Sequence, residues 1–276
     1  MSLAYATELA VARTLAVHAG EAIEAVRKRG FSVSDKADNS PVTEADLAAD
    51  RVIREGLATR FPRDAVLTEE SALNPGDSGR TWVIDPLDGT RGFVGDSERG
   101  YAVHIGLLVG QTPVLGVVHE PRYGRTWVAE RHGNTVLYEA GSAEQRCRVS
   151  GTADRHRIVT STSIADGLLA ELVMEGFVPQ PKLHSVGIKV GELVGDRADV
   201  YFSHHPINAW DSCAPLVVLE AAGGRMTTIS GAPLTYEPTA ESQRHSGLIV
   251  ASNGVDHDDI ARRIQAALAR HGVPVQ

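Results

Sequence analysis

The run Trp82-Val83-Ile84-Asp85-Pro86-Leu87-Asp88-Gly89-Thr90 constrains this chain more than any other stretch. Thr81 to Ile84 are β-branched and aromatic and predict a short buried strand. Pro86 removes a backbone donor, so the ladder is expected to stop there. That leaves Asp85 at or near the strand's C-terminal end, where open α/β sheets place their chemistry. Asp88 follows across a turn, Gly89 lets the backbone approach a ligand closely, and Thr90 adds a hydroxyl. Asp-Gly alone marks an ordinary turn. Two carboxylates this close, however, repel unless a cation or a proton lies between them. No Cys or His is nearby, and hard oxygen donors suit Mg²⁺, Mn²⁺ or Ca²⁺.

At 276 residues the chain is long enough to bury a core without disulfides. Its two cysteines, Cys147 and Cys213, form no CxxC pair, zinc motif or disulfide framework, which fits a reducing cytoplasm. A net charge of -8 argues against binding a nucleic-acid polymer. A small phosphorylated partner stays compatible, since bound metal ions supply local positive charge. No apolar run reaches membrane-spanning length. The first residues lack a basic segment followed by an apolar one, so no signal peptide is expected; Ser2 and Leu3 fit a cloning remnant.

Taken in order, residues 3–29 space their apolar side chains as an amphipathic helix ended by Gly30. Phe31 to Lys36 alternate weakly, as a strand would, before the turn cluster Asp38-Asn39-Ser40-Pro41. Thr43-Glu44-Ala45-Asp46 opens a second helix, with Thr43 as N-cap and Asp46 where a reciprocal capping carboxylate falls. Ala65 to Thr68 form a strand that delivers Glu69-Glu70, of which alternation lets one turn inward. After a loop beginning at Arg91, the segments 101–109, 114–119, 126–130 and 134–138 read as an antiparallel meander. The first half therefore reads as α+β, with helices against one face of a sheet. Composition turns polar between Gly141 and Val149, and strands and helices alternate afterwards. The division expected is 1–145 and 146–276, together one continuous catalytic unit. In the second half Asp211 reads as the N-cap of a helix over 212–222, with Pro215 in its tolerated first turn. Beside Asp85 and Asp88, Asp211 is also a candidate third metal carboxylate.

Glu69-Glu70, Asp85-Pro86-Leu87-Asp88-Gly89-Thr90 and Trp210-Asp211 ahead of Gly223-Gly224 resemble the inositol monophosphatase superfamily, in its order and at similar spacings. The resemblance implies a layered αβαβα sandwich, frequent dimers, and an Mg²⁺-dependent, lithium-sensitive phosphomonoesterase using two or three ions, with Mn²⁺ as an alternative. It implies metal ligation by Glu69, Asp85, the Leu87 carbonyl, Asp88 and Asp211. Phosphate is expected at Asp88 and the backbone N–H groups of Gly89 and Thr90. Glu69 and the Thr90 hydroxyl would position the attacking water, with Asp46 nearby and Glu70 one layer further out. Direct hydrolysis follows, with no Cys or His nucleophile.

Specificity is read from what surrounds that set. Inositol-specific members carry a Glu seven residues before the Trp-Asp aspartate, where this chain has His204. The run from Lys36 to Thr43, the basic Arg91 after Asp-Gly-Thr, and Ser185 with Lys189 resemble the bacterial 3'(2'),5'-bisphosphate nucleotidases. Lys189 is expected to meet a second phosphate as a point charge, or else to be a solvated helix lysine. The histidines at 104, 119, 184, 204 and 205 show no metal spacing, and only His204 is expected near substrate. Three readings result: hydrolysis of 3'-phosphoadenosine 5'-phosphate, the same chemistry on inositol phosphate or histidinol phosphate, and a catalytically silent metal or phosphate sensor.

Overall fold

The computed structural model describes residues 4–35, 41–95, 100–152, 156–237 and 243–273. Several expectations lie outside those residues: Ser2 and Leu3, most of the turn cluster at 38–41, and the 36–40 portion of the nucleotidase-like run.

The chain opens with helix α1 (Ala6–Arg29). A small hairpin follows, β1 (Val33–Asp35) antiparallel to β2 (Pro41–Thr43). It leads straight into α2 (Glu44–Arg60), where Thr43 and Asp46 form the expected capping box. Next come β3 (Ala65–Thr68), β4 (Arg80–Asp88) and the short α3 (Thr90–Val94). The meander is β5 (Ala102–Val109), β6 (Thr112–Glu120), β7 (Arg125–Glu130) and β8 (Thr135–Glu139), extended by β9 (Gln145–Cys147). These strands build a seven-stranded sheet in the order β3-β4-β5-β6-β7-β8-β9, antiparallel except for β3 beside β4.

The remainder runs β10 (Arg157–Thr160), α4 (Asp166–Met174), β11 (Val178–Pro179) and α5 (Val186–Val194). It continues with β12 (Val200–Ser203), α6 (Ala209–Ala221), β13 (Arg225–Thr228), β14 (Ile249–Ser252) and α7 (His257–Arg270). Its five strands order as β11-β10-β12-β14-β13, with β10 parallel to both neighbours.

Alternation along the strands assigns the layers. Trp82, Ile84, Val103, Ile105 and Val117 face α1 and α2. Val83, Ala102, Val118 and Trp127 face the opposite way, into a core shared with α5, α6 and one face of the five-stranded sheet. The outer face of that sheet packs on α4 and α7 through Ile158, Phe202, Leu168 and Ile264. The result is an αβαβα sandwich. The helices of the first half cover one face of the first sheet, as expected, and the second half supplies helices to the other face. No helix among the described residues is long and apolar enough to cross a membrane.

Glycine sets how closely the middle helices approach. Gly106 and Gly116 pair across β5 and β6. A Cβ on Gly106 would stand 2.6 Å from Cys213 Sγ, and one on Gly116 2.3 Å from the Ala214 carbonyl oxygen. The backbone of α6 thus rests on the sheet itself. Gly187 and Gly191 do the same for α5, over His104 and Trp127.

Candidate active site

Strand β4 carries two of the acidic groups. Val83 and Asp85 share a face by alternation, so Asp85 points toward α5 and α6. Pro86 does not end the strand, contrary to expectation. A bulge between Asp85 and Asp88 absorbs it, and pairing resumes at Asp88 with Ala102. The Leu87 N–H donates back to Asp85 Oδ1 at 3.0 Å, fixing that carboxylate across the bulge. Gly89 then takes φ 91°, and a Cβ there would stand 2.2 Å from the Gly100 carbonyl oxygen. Only glycine satisfies both the left-handed backbone and the contact.

Helix α6 brings the third carboxylate. Its N-cap is Asn208, three residues earlier than expected. Asp211 is therefore not the cap but the third helical residue, and its Oδ2 accepts the Asn208 N–H at 2.6 Å. Pro215 correspondingly lies inside the helix rather than in its first turn. Ser212 anchors this end: its Oγ is 2.6 Å from His245 Nε2 and accepts from Tyr236 Oη at 3.1 Å.

Ligand oxygens of Asp85, Asp88 and Asp211 all lie within 4.8 Å of one another. Asp85 and Asp88 are 1% and 5% exposed. Burial, followed by the charges of Glu69, Asp88 and Asp211, holds the Asp85 carboxyl well above its usual range. Asp211 is raised in the same way, by burial and then by Asp88 and Glu69. Asp88 goes the other way. Burial raises it, but the pull of His104, Ser185 and Lys189 prevails and its carboxyl sits lower than usual. Crowded oxygen donors of this kind fit a hard divalent cation.

Asp46 approaches from α2. Its Oδ2 accepts from Thr43 N and Oγ1, each at 2.7 Å, and its Oδ1 accepts from Thr90 Oγ1 at 3.1 Å. Capping therefore does not exhaust this residue: one oxygen caps the helix, the other meets Thr90. Burial raises the Asp46 carboxyl despite those donors. Leu87 O lies 3.3 Å from the same Thr90 hydroxyl.

A cleft of about 270 Å³ opens over this set, lined by Glu69, Asp88, Gly89, Thr90, Arg91 and Asp211. Its other wall comes from the C-terminal ends of β10 and β12 and the start of α5. There it is lined by Ser161, Thr162, Ser163, His184, Lys189 and His204. Nothing local in the sequence separates the hydroxyl run 161–163 from a polar loop.

Lys189 is not a solvated helix lysine: it is 2% exposed. Its Nζ donates to the His184 carbonyl at 2.8 Å and lies 5.2 Å from the Tyr201 ring centre. Burial pulls the ammonium down to about 8, against the opposing charges of Asp88 and Asp211. Ser185 faces the protein rather than the cleft lining. It is fully buried, caps α5 by accepting from Ile188 N, and donates to Asp88 Oδ2 at 2.5 Å. Its hydroxyl is committed to protein. His204 lines the cleft with Nε2 3.4 Å from Ser163 Oγ, and burial holds its imidazole down to about 4. His104, expected to be uninvolved, stands with Nε2 3.1 Å from Asp88 Oδ2.

The inositol monophosphatase family matches residues 5–269 of the chain. The 3'(2'),5'-bisphosphate nucleotidase CysQ of Escherichia coli K12 is 36% identical over 231 residues, covering 81% of this chain and 92% of that one. The histidinol-phosphatase of Mycobacterium tuberculosis is 31% identical over 242 residues, covering 85% and 88%. Among solved structures, an IMPase of Thermotoga maritima matches with a TM-score of 0.78 at 26% identity, covering 96% and 99%.

Proposed function

From the premise that the chain belongs to the inositol monophosphatase family and is a phosphoric monoester hydrolase, we propose that it is Mg²⁺-dependent and acts on 3'-phosphoadenosine 5'-phosphate. The meeting of Asp85, Asp88 and Asp211 beneath a cleft that also presents Lys189 and Arg91 carries this reading. Glu69, Asp85, the Leu87 carbonyl, Asp88 and Asp211 would hold the cations. When bound, these supply Lewis-acid polarisation of the phosphoryl oxygens and of the attacking water.

The chain's own groups do the rest. Glu69 and Thr90 Oγ1 orient the water against the phosphorus. The proton it gives up passes to Thr90 Oγ1 while the Thr90 proton moves to Asp46 Oδ1. The raised Asp46 carboxyl makes that transfer easier, because a stronger base accepts the proton more readily. Backbone N–H groups of Gly89 and Thr90 receive phosphate oxygens. Lys189 on the opposite wall and Arg91 beside Thr90 supply positive charge for a second phosphate, and His204 borders the rest of the substrate.

The likeness to the histidinol-phosphatase supports a second reading, with histidinol phosphate as substrate. The deciding experiment compares kcat/KM for 3'-phosphoadenosine 5'-phosphate, histidinol phosphate, inositol 1-phosphate and fructose 1,6-bisphosphate at one Mg²⁺ concentration. The nucleoside bisphosphate is expected to rank first, and removing Mg²⁺ to abolish turnover. A higher value for histidinol phosphate transfers the assignment to it. No release from any ester by folded, metal-supplied protein leaves the sensor.

A further inference from the structure

We propose that His104 is a positioning residue that fixes the Asp88 carboxylate for cation binding. The inference rests on the metal-dependent reading above and concerns which part of the chain sets up the site. His104 lies on β5 directly opposite Asp85, so its side chain faces the same middle layer. It is fully buried. Its Nε2 is 3.1 Å from Asp88 Oδ2, and its Nδ1 is 3.4 Å from the Trp210 carbonyl oxygen. The ring therefore spans the two segments that carry Asp88 and Asp211.

The same Asp88 oxygen already accepts from Ser185 Oγ at 2.5 Å and Gly187 N at 3.0 Å. Three polar groups thus converge on Oδ2. Oδ1 receives no hydrogen bond from any of them. Among the described residues these groups hold one oxygen, and the other is assigned to a cation, as outer-shell groups arrange around ligating carboxylates.

The two atoms are close enough for a hydrogen bond, but the contact does not complete a regular one. No other hydrogen-bond partner is found for Nε2 among the described residues. A buried polar atom left in that state costs stability, and its position against Asp88 explains why the fold retains it. Space has been cleared for it as well: a Cβ on Gly187 would stand 2.1 Å from His104 Nε2.

Mn²⁺ and Mg²⁺ binding by titration calorimetry on the full chain tests this, with thermal melts in EDTA as the folding control. His104→Leu removes the donor, whereas the longer amide of His104→Gln keeps a nitrogen in reach of Oδ2. His104→Leu is expected to bind Mn²⁺ about 10- to 100-fold more weakly, and His104→Gln to recover most of that loss. Wild-type affinity in His104→Leu, or equal losses in Leu and Gln, overturns the positioning role. If His104→Leu does not fold, His104→Asn replaces it, its amide falling short of Oδ2, with the same expected loss and the same overturning result. Wild-type protein that takes up neither cation overturns the metal-dependent reading itself, and this inference with it.

Discussion

Gly116 lies against Ala214: a Cβ on the strand residue would stand 2.3 Å from the helix carbonyl. Nothing at that contact is a flexible side chain, so the helix and the sheet must separate if anything larger than hydrogen is placed there. Asp211 sits one turn earlier on the same helix. The packing of two backbones thus sets how near the third carboxylate comes to Asp85 and Asp88.

Gly116→Ala is accordingly expected to cost about 1–3 kcal/mol of stability and to weaken Mg²⁺ binding together with it. Gly151→Ala is the control, since a Cβ there meets nothing within 4 Å. Chemical denaturation and calorimetry on both variants read the effect. Loss of stability in Gly116→Ala with unchanged Mg²⁺ affinity would separate helix packing from the site.

Asp85→Asn should trade function for stability. The buried carboxylate is crowded by Glu69, Asp88 and Asp211, so the fold pays to keep it charged. An amide keeps an oxygen to accept from Leu87 N, as Asp85 Oδ1 does at 3.0 Å, and removes one repelling charge. Without divalent cation, the variant is expected to melt higher than wild type. Turnover is expected to fall at least about 100-fold, because a donor to the cation is weakened. Asp88→Asn is expected to abolish turnover nearly completely with little loss of folding. Normal turnover in Asp88→Asn would falsify the ligand assignment.

What could be read from the sequence was what local pattern encodes. The capping box at Thr43 and Asp46 is a short-range signature, and it formed as expected. The acidic motifs announced the site because their carboxylates repel at short spacing. The bulge at Pro86 was not legible, since the register that absorbs the proline belongs to Ala102 on the next strand. Nor was the start of α6: Asn208 caps as well as Asp211 could, and tertiary contacts with His245 and Tyr236 hold that turn. The two-residue β11 is too short to carry a periodicity. His104 and the cleft wall at 161–163 depend on which strands become neighbours, and a single sequence shows no such pairing.

Acid should unfold the protein through its buried histidines. His257 is 2% exposed, with Nδ1 2.7 Å from Ser252 Oγ and Nε2 2.9 Å from Thr227 Oγ1. Burial first, then the nearby Arg225, pushes its imidazole down to about 4, against the weaker pull of Asp258. The unfolded chain binds that proton near the ordinary value of about 6.5. Between those pH values the unfolded state holds more protons, so stability falls as pH is lowered through that window. Above 6.5 the contribution is complete and flat. His119 and His245, also held down to about 4 by burial, add to the same slope. His257→Gln is expected to flatten the dependence of melting temperature on pH from 6.5 to 4. An unchanged slope would place the acid sensitivity elsewhere.

Lys189→Met tests the substrate reading. The methionine fills much the same volume against Tyr201 but carries no charge, so packing is largely kept. If Lys189 serves a second phosphate, KM for 3'-phosphoadenosine 5'-phosphate rises by at least about tenfold, the equivalent of one charge-assisted hydrogen bond. KM for a monophosphate such as inositol 1-phosphate moves much less. The location of the ammonium makes this a demanding test. Its Nζ is already bonded to the His184 carbonyl, so a phosphate must either share the donor set or displace that carbonyl. An ammonium has three donors, and the His184 contact uses one of them, which leaves two. An equal rise for both substrates would mean that the lysine instead steadies the acidic cluster, where Asp88 and Asp211 feel its charge.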